Sequence, residues 1–289
     1  MAALISAFLP LAMLVLMFTL GLQLRPSEMR QTLANRRAMA AGLGAQLIAL
    51  PLLAFGLGSA LSLSPAVFAG LMLVAASPGG VSSNYITHLA RGSVALSVTM
   101  TLASTLAAPL SMPIALMLSG VAMPASGALA RISLGMTAVA VVPLLAGMAL
   151  RHVAPRMGSA LGARIAPLAK AVFALMVLAT FVQNWDAMQA AASEAGLSVA
   201  LLALAAPLLG LGAGRALRLG PAIGRTIAIE LSLQNVAVTI FVAGTVLGRP
   251  ELALPGLIYA LAMNLVALVL IWYGAERGTP APASEPPAL

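Results

Sequence analysis

The 289-residue sequence contains no cysteine, which excludes disulfide bonds, thiol catalysis and cysteine-ligated metal sites. It contains only two histidines, far apart in the chain, so a zinc site built from histidine ligands is not expected. Charged residues make up 8% of the chain, whereas a soluble domain carries about a quarter. With 61% hydrophobic residues, such a chain cannot cover a water-facing surface, and it predicts an all-α polytopic membrane protein.

The sequence contains long apolar runs. A membrane-spanning helix needs ~20 mostly apolar residues, and nine runs are of about this length. We expect one transmembrane domain over residues 1–275, followed by a Pro-rich, disordered tail at 276–289. The first run lacks the basic residues and cleavage site of a signal peptide, so we expect it to be a retained helix. The nine predicted spans are Leu4–Gln23, Ala38–Gly58, Pro65–His88, Val94–Leu118, Ile132–Arg151, Ile165–Trp185, Leu197–Gly214, Ala222–Leu247 and Leu254–Tyr273.

The basic residues are distributed unevenly about these spans. The formal net charge is +8, and 13 of the 15 Lys and Arg residues fall on one side of the nine-span arrangement. Only Arg131 and Arg249 fall on the other side. The positive-inside rule therefore predicts a plasma (inner) membrane protein with its N-terminus outside and its C-terminus in the cytoplasm. This distribution favours the lipid bilayer as a partner over nucleic acid, and it leaves open whether the protein acts as a monomer.

Two of the spans carry helix breakers or charge in their middle. In "AASPGGVSSNYITHL" (75–89), Pro78, Gly79 and Gly80 stand together, and all three are poor helix formers. In span 8, Glu230 is the only acidic residue inside any predicted span. A charge at the bilayer centre costs at least ~2.5 kcal/mol, and such residues commonly mark functional sites. A simple kink in span 3, or a structural carboxyl in span 8, remains the alternative.

The two interrupted spans are five apart in the chain and therefore cross the membrane in opposite directions. Such helices form inverted repeats, in which two broken helices cross near the midplane and their freed backbone groups bind ions. We expect this fold, with a core near 38–118 and 197–247. A panel is expected from spans near 4–23 and 132–185, and the span at 254–273 is assigned to it on weaker grounds.

At these residues the sequence resembles the bile acid:sodium symporter family. The segments that carry the resemblance are "MFTLGLQLRPSEM" (17–29), "SPGGVSSNYITHLARGSVALSVTMTLASTLAAPL" (77–110) and "IELSLQN" (229–235). The resemblance implies a secondary active transporter, not an enzyme. It would couple sodium to the symport of a small organic anion, a bile-acid-like or pantoate-like carboxylate, by alternating access.

The resemblance also implies two coupling sodium ions. The first site would be formed by Ser83, Asn84, Ser97, Thr101 and Glu230. The second would be formed by Gln46, Glu230, Gln234 and backbone carbonyls near Leu231 and Leu233.

The residue types suit this assignment, because a hard cation prefers oxygen ligands. Ser97 and Thr101 lie one helical turn apart, so both hydroxyls share one face of span 4. Their alternative role is to bond back to carbonyls of their own helix. Gln46 is the only strongly polar side chain in the middle of span 2, and it could instead hold two helices together.

The substrate is expected near Val81, Ser82, Asn235, Met263 and Asn264. Many family members have Thr after the Gly pair, where this sequence has Val81, and some bacterial members have His where it has Met263. Both changes remove a hydrogen-bonding group, so we expect a substrate more apolar than pantoate.

Three other functions use the same residues differently. A proton-coupled transporter would use Glu230 as the group that gains and loses the proton. A channel would need a ring of charges, which a single buried Glu gives only in an oligomer. An intramembrane hydrolase would need a nucleophile and a base in register, and the sequence has no Gly-x-Ser-x-Gly elbow.

Overall fold

A computed structural model of the protein describes residues 2–24, 32, 35–121 and 127–277. Arg25 and Arg30 of the first predicted loop lie outside these residues. The last helix extends to Arg277 and so includes the first two residues of the tail predicted at 276–289. The rest of that predicted tail, 278–289, lies outside the described residues.

The described residues fold into helices, which we number α1 to α11 in chain order. They are α1 (Ala2–Gln23), α2 (Arg36–Ala60), α3 (Pro65–Ala76), α4 (Val81–Leu89), α5 (Val94–Leu118), α6 (Ala128–Val153), α7 (Pro155–Gln183), α8 (Trp185–Ala216), α9 (Pro221–Ser232), α10 (Val236–Val246) and α11 (Leu254–Arg277). Helices α2, α6 and α10 each include a π-helical segment, at Ala45–Ala49, Thr137–Val141 and Phe241–Val246.

Local sequence explains where several helices begin. Pro65, Pro155 and Pro221 are the first residues of α3, α7 and α9, where the missing N–H of proline would have no helical partner. Helix α2 begins after Asn35, whose side-chain oxygen accepts a hydrogen bond from the N–H of Ala38 at 3.2 Å. These starts follow from ordinary capping chemistry and need no tertiary contact.

Among the described residues, six helical stretches are long and apolar enough to cross a membrane: α2, α5, α6, α7, α8 and the stretch Pro250–Ala275. Three shorter apolar stretches are Pro10–Gln23, Pro65–Ala76 and Val236–Val246. The prediction of a helical protein with several candidate spans is confirmed. The count of nine spans and the inverted repeat stay predictions. Predicted spans 3 and 8 are each divided into two short helices, α3 with α4 and α9 with α10.

Helices α1, α6 and α7 pack together, and α1 approaches α6 very closely. A Cβ atom on Gly21 would lie 2.1 Å from the carbonyl oxygen of Leu144, and one on Gly147 would lie 2.2 Å from that of Phe18. Such distances exclude any side chain, so glycine at both positions permits the contact. Small residues at helix interfaces are the usual means of close packing in membranes.

The last helix, α11, packs against α3, α4, α8, α9 and α10. Its Tyr259 is fully buried and donates to the carbonyl of Ser232 in α9 at 2.9 Å. This helix therefore packs against helices of the predicted core, whereas its assignment to the panel stays a prediction. Hydropathy alone could not predict these contacts, because mean hydropathy is similar in the helices of the predicted core and of the predicted panel. The division into core and panel stays a prediction.

Candidate functional site

The breaks in the two interrupted helices lie against each other and pair as a short antiparallel bridge. The N–H of Gly80 donates to the carbonyl of Leu233 at 2.7 Å, and the N–H of Asn235 donates to the carbonyl of Pro78 at 2.9 Å. Lipid cannot satisfy backbone groups that a helix break frees. Each break therefore supplies hydrogen-bond partners to the other, and the two broken helices cross at this point.

Neighbouring helices satisfy two further backbone groups at the crossing. The N–H of Gly79 donates a hydrogen bond to the hydroxyl of Ser104 in α5 at 3.2 Å. The hydroxyl of Tyr259 in α11 donates one to the carbonyl of Ser232. Sequence reasoning did not identify Ser104 or Tyr259. The only signal for either was a polar group within an apolar span, which many buried Ser and Tyr residues share.

Glu230 lies at this crossing and its side chain is fully buried. Its Oε1 atom accepts hydrogen bonds from the hydroxyls of Ser83 and Ser97, and its Oε2 atom accepts one from Thr101 at 3.0 Å. Within the described residues no basic side chain pairs with this carboxylate. Helices α4, α5 and α9 therefore bring three hydroxyls to one buried acid.

Two further residues of α4 extend this hydroxyl cluster. The Oδ1 atom of Asn84 lies 2.9 Å from the Oγ of Ser97, and the hydroxyl of Thr87 donates to the same Oγ at 3.3 Å. The structure thus brings together all five residues of the first predicted sodium site. Thr87 was missed by sequence reasoning, although its position three residues after Asn84 puts both on one face of α4.

Other hydroxyls of α5 bond to carbonyls of their own helix, which is the alternative role considered for Ser97 and Thr101. Thr99, Ser104 and Thr105 each donate to a carbonyl three or four residues earlier in α5. Ser97 and Thr101 instead reach across to Glu230. Some hydroxyls of α5 therefore bond to their own helix, whereas Ser97 and Thr101 are directed at the acid.

Gln46 and Gln234 are the two glutamines of the predicted second sodium site. Gln234 is buried, and its amide nitrogen donates to the carbonyl of Leu231 at 2.7 Å while its Oε1 has no hydrogen-bond partner. Gln46 is also buried, and both its side-chain oxygen and its nitrogen lack a partner. Gln46 lies in the π-helical segment of α2, which packs against α9. The carbonyl of Leu233 already accepts from Gly80 but retains a second lone pair.

The predicted substrate residues lie in less uniform surroundings. Ser82 is exposed at the start of α4, and Asn235 is buried at the second break. Met263 is half-buried in α11, and Asn264 is exposed with its amide donating to the carbonyl of Ala260 at 2.6 Å. Val81 begins α4, and its side chain lies outside the described residues. The grouping of these five residues around a substrate stays a prediction.

Comparison with known proteins shows the family to which the chain belongs. The model of the Sodium Bile acid symporter family matches residues 10–191, which is more than half of the chain. The chain belongs to this family. It is thus a member of a family of membrane transporters and not an enzyme, as the resemblance implies.

Named relatives agree with the family match. The "Probable sodium/metabolite cotransporter BASS2, chloroplastic" of Oryza sativa subsp. japonica is 30% identical over 268 residues, which cover 92% of this chain and 63% of that protein. The "Uncharacterized sodium-dependent transporter YocS" of Bacillus subtilis (strain 168) is 30% identical over 284 residues, covering 94% of this chain and 84% of that protein. The chain therefore spans less than two thirds of the plant relative and most of the bacterial one.

Proposed function

We propose that the protein couples sodium entry to the uptake of a small organic anion by alternating access. One observation carries the proposal: the fully buried carboxylate of Glu230 is surrounded by hydroxyls where two broken helices cross. A buried charge needs a compensating partner in a membrane interior. The hydroxyls stabilise the anion but carry no positive charge, and a monovalent cation would supply it.

The first sodium ion would bind among the hydroxyls of Ser83, Ser97 and Thr101, the Oδ1 of Asn84 and the carboxylate of Glu230. All are hard oxygen donors. A hydroxyl that donates its hydrogen to the carboxylate keeps its lone pairs, so it can face a cation at the same time. Family membership supports this assignment, as do the names of the two relatives, one a probable sodium/metabolite cotransporter and the other a sodium-dependent transporter.

The second sodium ion would bind at Gln46 and Gln234, with Glu230 and the carbonyls of Leu231 and Leu233 completing its ligands. The support is the unpartnered Oε1 atoms of the two glutamines, both buried. A buried polar atom without a hydrogen bond calls for an explanation, and an ion is one. Sharing one carboxylate between two ions leaves a net charge of about +1 at the crossing.

The substrate would be a monovalent carboxylate, bile-acid-like or pantoate-like, with an apolar body. Asn235 and Ser82 offer hydrogen bonds near the N-terminal end of α4, where a helix favours an anion. Met263 of α11 would contribute a half-buried apolar side chain. Two sodium ions with one anion carry net positive charge inward, so an inside-negative potential contributes about 2.3 kcal/mol per charge per 100 mV.

The proposed topology follows the basic residues. Nine membrane crossings would leave the N-terminus outside and the C-terminus in the cytoplasm of a plasma (inner) membrane. The two broken helices would be equivalent members of an inverted repeat, and their antiparallel pairing supports this. Labelling of a C-terminal tag from outside intact cells would contradict it.

The test is uptake into proteoliposomes that hold the full chain. Uptake of radiolabelled carboxylates, from pantoate to bile acids, is compared with an inward sodium gradient and with a matched potassium gradient. Glu230→Gln keeps the shape of the side chain but removes its charge, so we expect it to abolish sodium-driven uptake. The control is Glu251→Gln, because Glu251 forms only an exposed ion pair with Arg249.

The outcomes separate the competing mechanisms. Uptake that needs a proton gradient and ignores sodium would favour the proton-coupled alternative. Sodium-driven uptake at the wild-type rate in Glu230→Gln would contradict the proposed site. Current measured during uptake tests the stoichiometry, since two ions with one anion must carry charge inward.

A further inference from the structure

A second polar region lies at one end of the helix bundle, where α8 and α11 end and α9 begins. A cavity of about 480 Å³ is present here, and its polar lining comes from Arg215, Arg218, Arg225 and Tyr273. The other described lining residues are glycine, proline and leucine. None of the residues of the helix crossing contributes to it. Three positive charges therefore share a cavity whose described lining includes no acidic side chain.

Arg225 is the unusual member of this cavity, because it is only 3% exposed. Its Nη2 atom donates to the carbonyl of Arg91 at 2.7 Å, but its Nε atom is buried without a hydrogen-bond partner. A buried guanidinium donor that stays unpaired is costly, more so than a neutral one. Its unpaired donor points to an acceptor that the protein itself does not supply.

The position of Arg225 in its helix strengthens this argument. Arg225 lies just over one turn from the start of α9, near the end where the helix dipole is positive and disfavours a cation. Arg215 and Arg218 lie at the end of α8, where the dipole favours cations, so they have an ordinary explanation. Arg225 has none. An anion would offset both its charge and the dipole.

The start of α9 is also open to a ligand. Gly220 precedes the helix with φ +88°, and no side chain caps the first turn. Helices α8 and α9 are in close contact beside the cavity, since a Cβ on Gly214 would lie 2.5 Å from the Cα of Gly224. Backbone amides at a helix start and guanidinium groups are both well suited to oxyanions.

We propose that this cavity binds a phosphoryl oxyanion, presented by an anionic lipid headgroup or as free phosphate. Arg225 anchors it from the buried side, and Arg215 and Arg218 bind it from the exposed side. Guanidinium forks match the geometry of phosphate oxygens better than ammonium groups do. The volume is in the range of small-molecule sites and exceeds what one phosphate fills, which leaves room for a glycerol attached to it. The occupant would link the ends of α8 and α11 to the start of α9.

The test measures the melting temperature of the full chain in neutral detergent. Potassium salts are used throughout, so that binding at the proposed sodium sites does not contribute. One arm titrates potassium phosphate at an ionic strength held constant with potassium chloride. The other arm titrates phosphatidylglycerol in mixed micelles against phosphatidylcholine. We expect a saturable rise in melting temperature in at least one arm.

Variants locate the effect. Replacing both Arg215→Gln and Arg218→Gln should raise the half-saturating concentration by about tenfold or more, since charge-assisted bonds are lost. Both side chains are exposed, so this variant is expected to fold even if Arg225→Gln does not. The matched control is Arg156→Gln, because Arg156 is exposed at the start of α7 and does not line the cavity.

Each outcome decides the proposal. A response to phosphatidylglycerol alone identifies a lipid headgroup, and a response to phosphate alone identifies a soluble anion. The absence of a saturable response in both arms would overturn the proposal. It would also be overturned if the double variant responded like the wild type, or if Arg156→Gln weakened the response equally.

Discussion

The two helix breaks that cross in this protein are built by different means. The first break contains Pro78, Gly79 and Gly80, which disfavour a helix in any surroundings. The second break, at Leu233 to Asn235, contains no proline or glycine. Its backbone nevertheless leaves the helical region, with φ −101° and ψ 84° at Leu233. Hydrogen bonds with the first break satisfy the backbone groups of this non-helical segment. The first break therefore follows from local sequence, whereas the second depends on tertiary contacts.

The two breaks also contribute different chemistry. The first is followed by Ser83 and Asn84, which offer neutral oxygens, whereas the second brings the charge of Glu230. Gly79 is where they meet most closely, because a Cβ atom there would lie 2.4 Å from the Oε2 of Glu230. The missing side chain of the first helix thus makes room for the acid of the second.

The largest effect is expected from Gly79→Ala, which tests the close approach of the two breaks. The added methyl group would clash with the Glu230 carboxylate and press on the Thr101 hydroxyl. We expect loss of sodium-driven uptake and of the rise in melting temperature that sodium gives over potassium. Gly56→Ala is the matched control, because its added methyl group would meet no atom of the described residues within 4 Å beyond its chain neighbours and its own helix backbone. An unchanged sodium response in Gly79→Ala would mean that the carboxylate does not need this space.

An intermediate effect is expected from Gln46→Ala, which tests the proposed second sodium site separately from the first. This change removes one proposed ligand of the second ion and leaves the hydroxyl cluster intact. We expect uptake to persist with a lower Hill slope for sodium. Gln183→Ala, at the exposed end of α7, serves as the control. A Hill slope equal to that of the wild type would exclude Gln46 from ion binding.

The smallest effect is expected from Tyr259→Phe, which tests how far the second break depends on its neighbours. The change leaves the carbonyl of Ser232 buried without this donor, and an unsatisfied buried group costs about 1–3 kcal/mol of stability. We expect a lower melting temperature in potassium with little change in the sodium concentration for half-saturation. Tyr85→Phe, at a side chain that is 64% exposed, should leave the melting temperature unchanged. Equal stability of the two variants would contradict the supporting role of Tyr259.

The amino-acid sequence alone predicts the kind of protein and part of its site. Low charge and long apolar runs require helices in a membrane, because no other open structure satisfies its backbone there. Pro78 to Gly80 mark the first break through local propensity, and Glu230 stands out as the one acid within a predicted span. The grouping of Ser83, Ser97 and Thr101 with Glu230 came from family resemblance, and the structure brings them together.

The remaining features of the site depend on contacts between distant parts of the chain. The second break, the contacts of Ser104 and Tyr259, and the placement of α11 beside α9 depend on hydrogen bonds between residues far apart in the chain. The cavity around Arg225 is likewise made where three helix ends meet. Propensity and hydropathy describe a residue with its near neighbours. They carry no information about which distant group will accept its hydrogen bond, and in a membrane that pairing fixes the position of each broken helix.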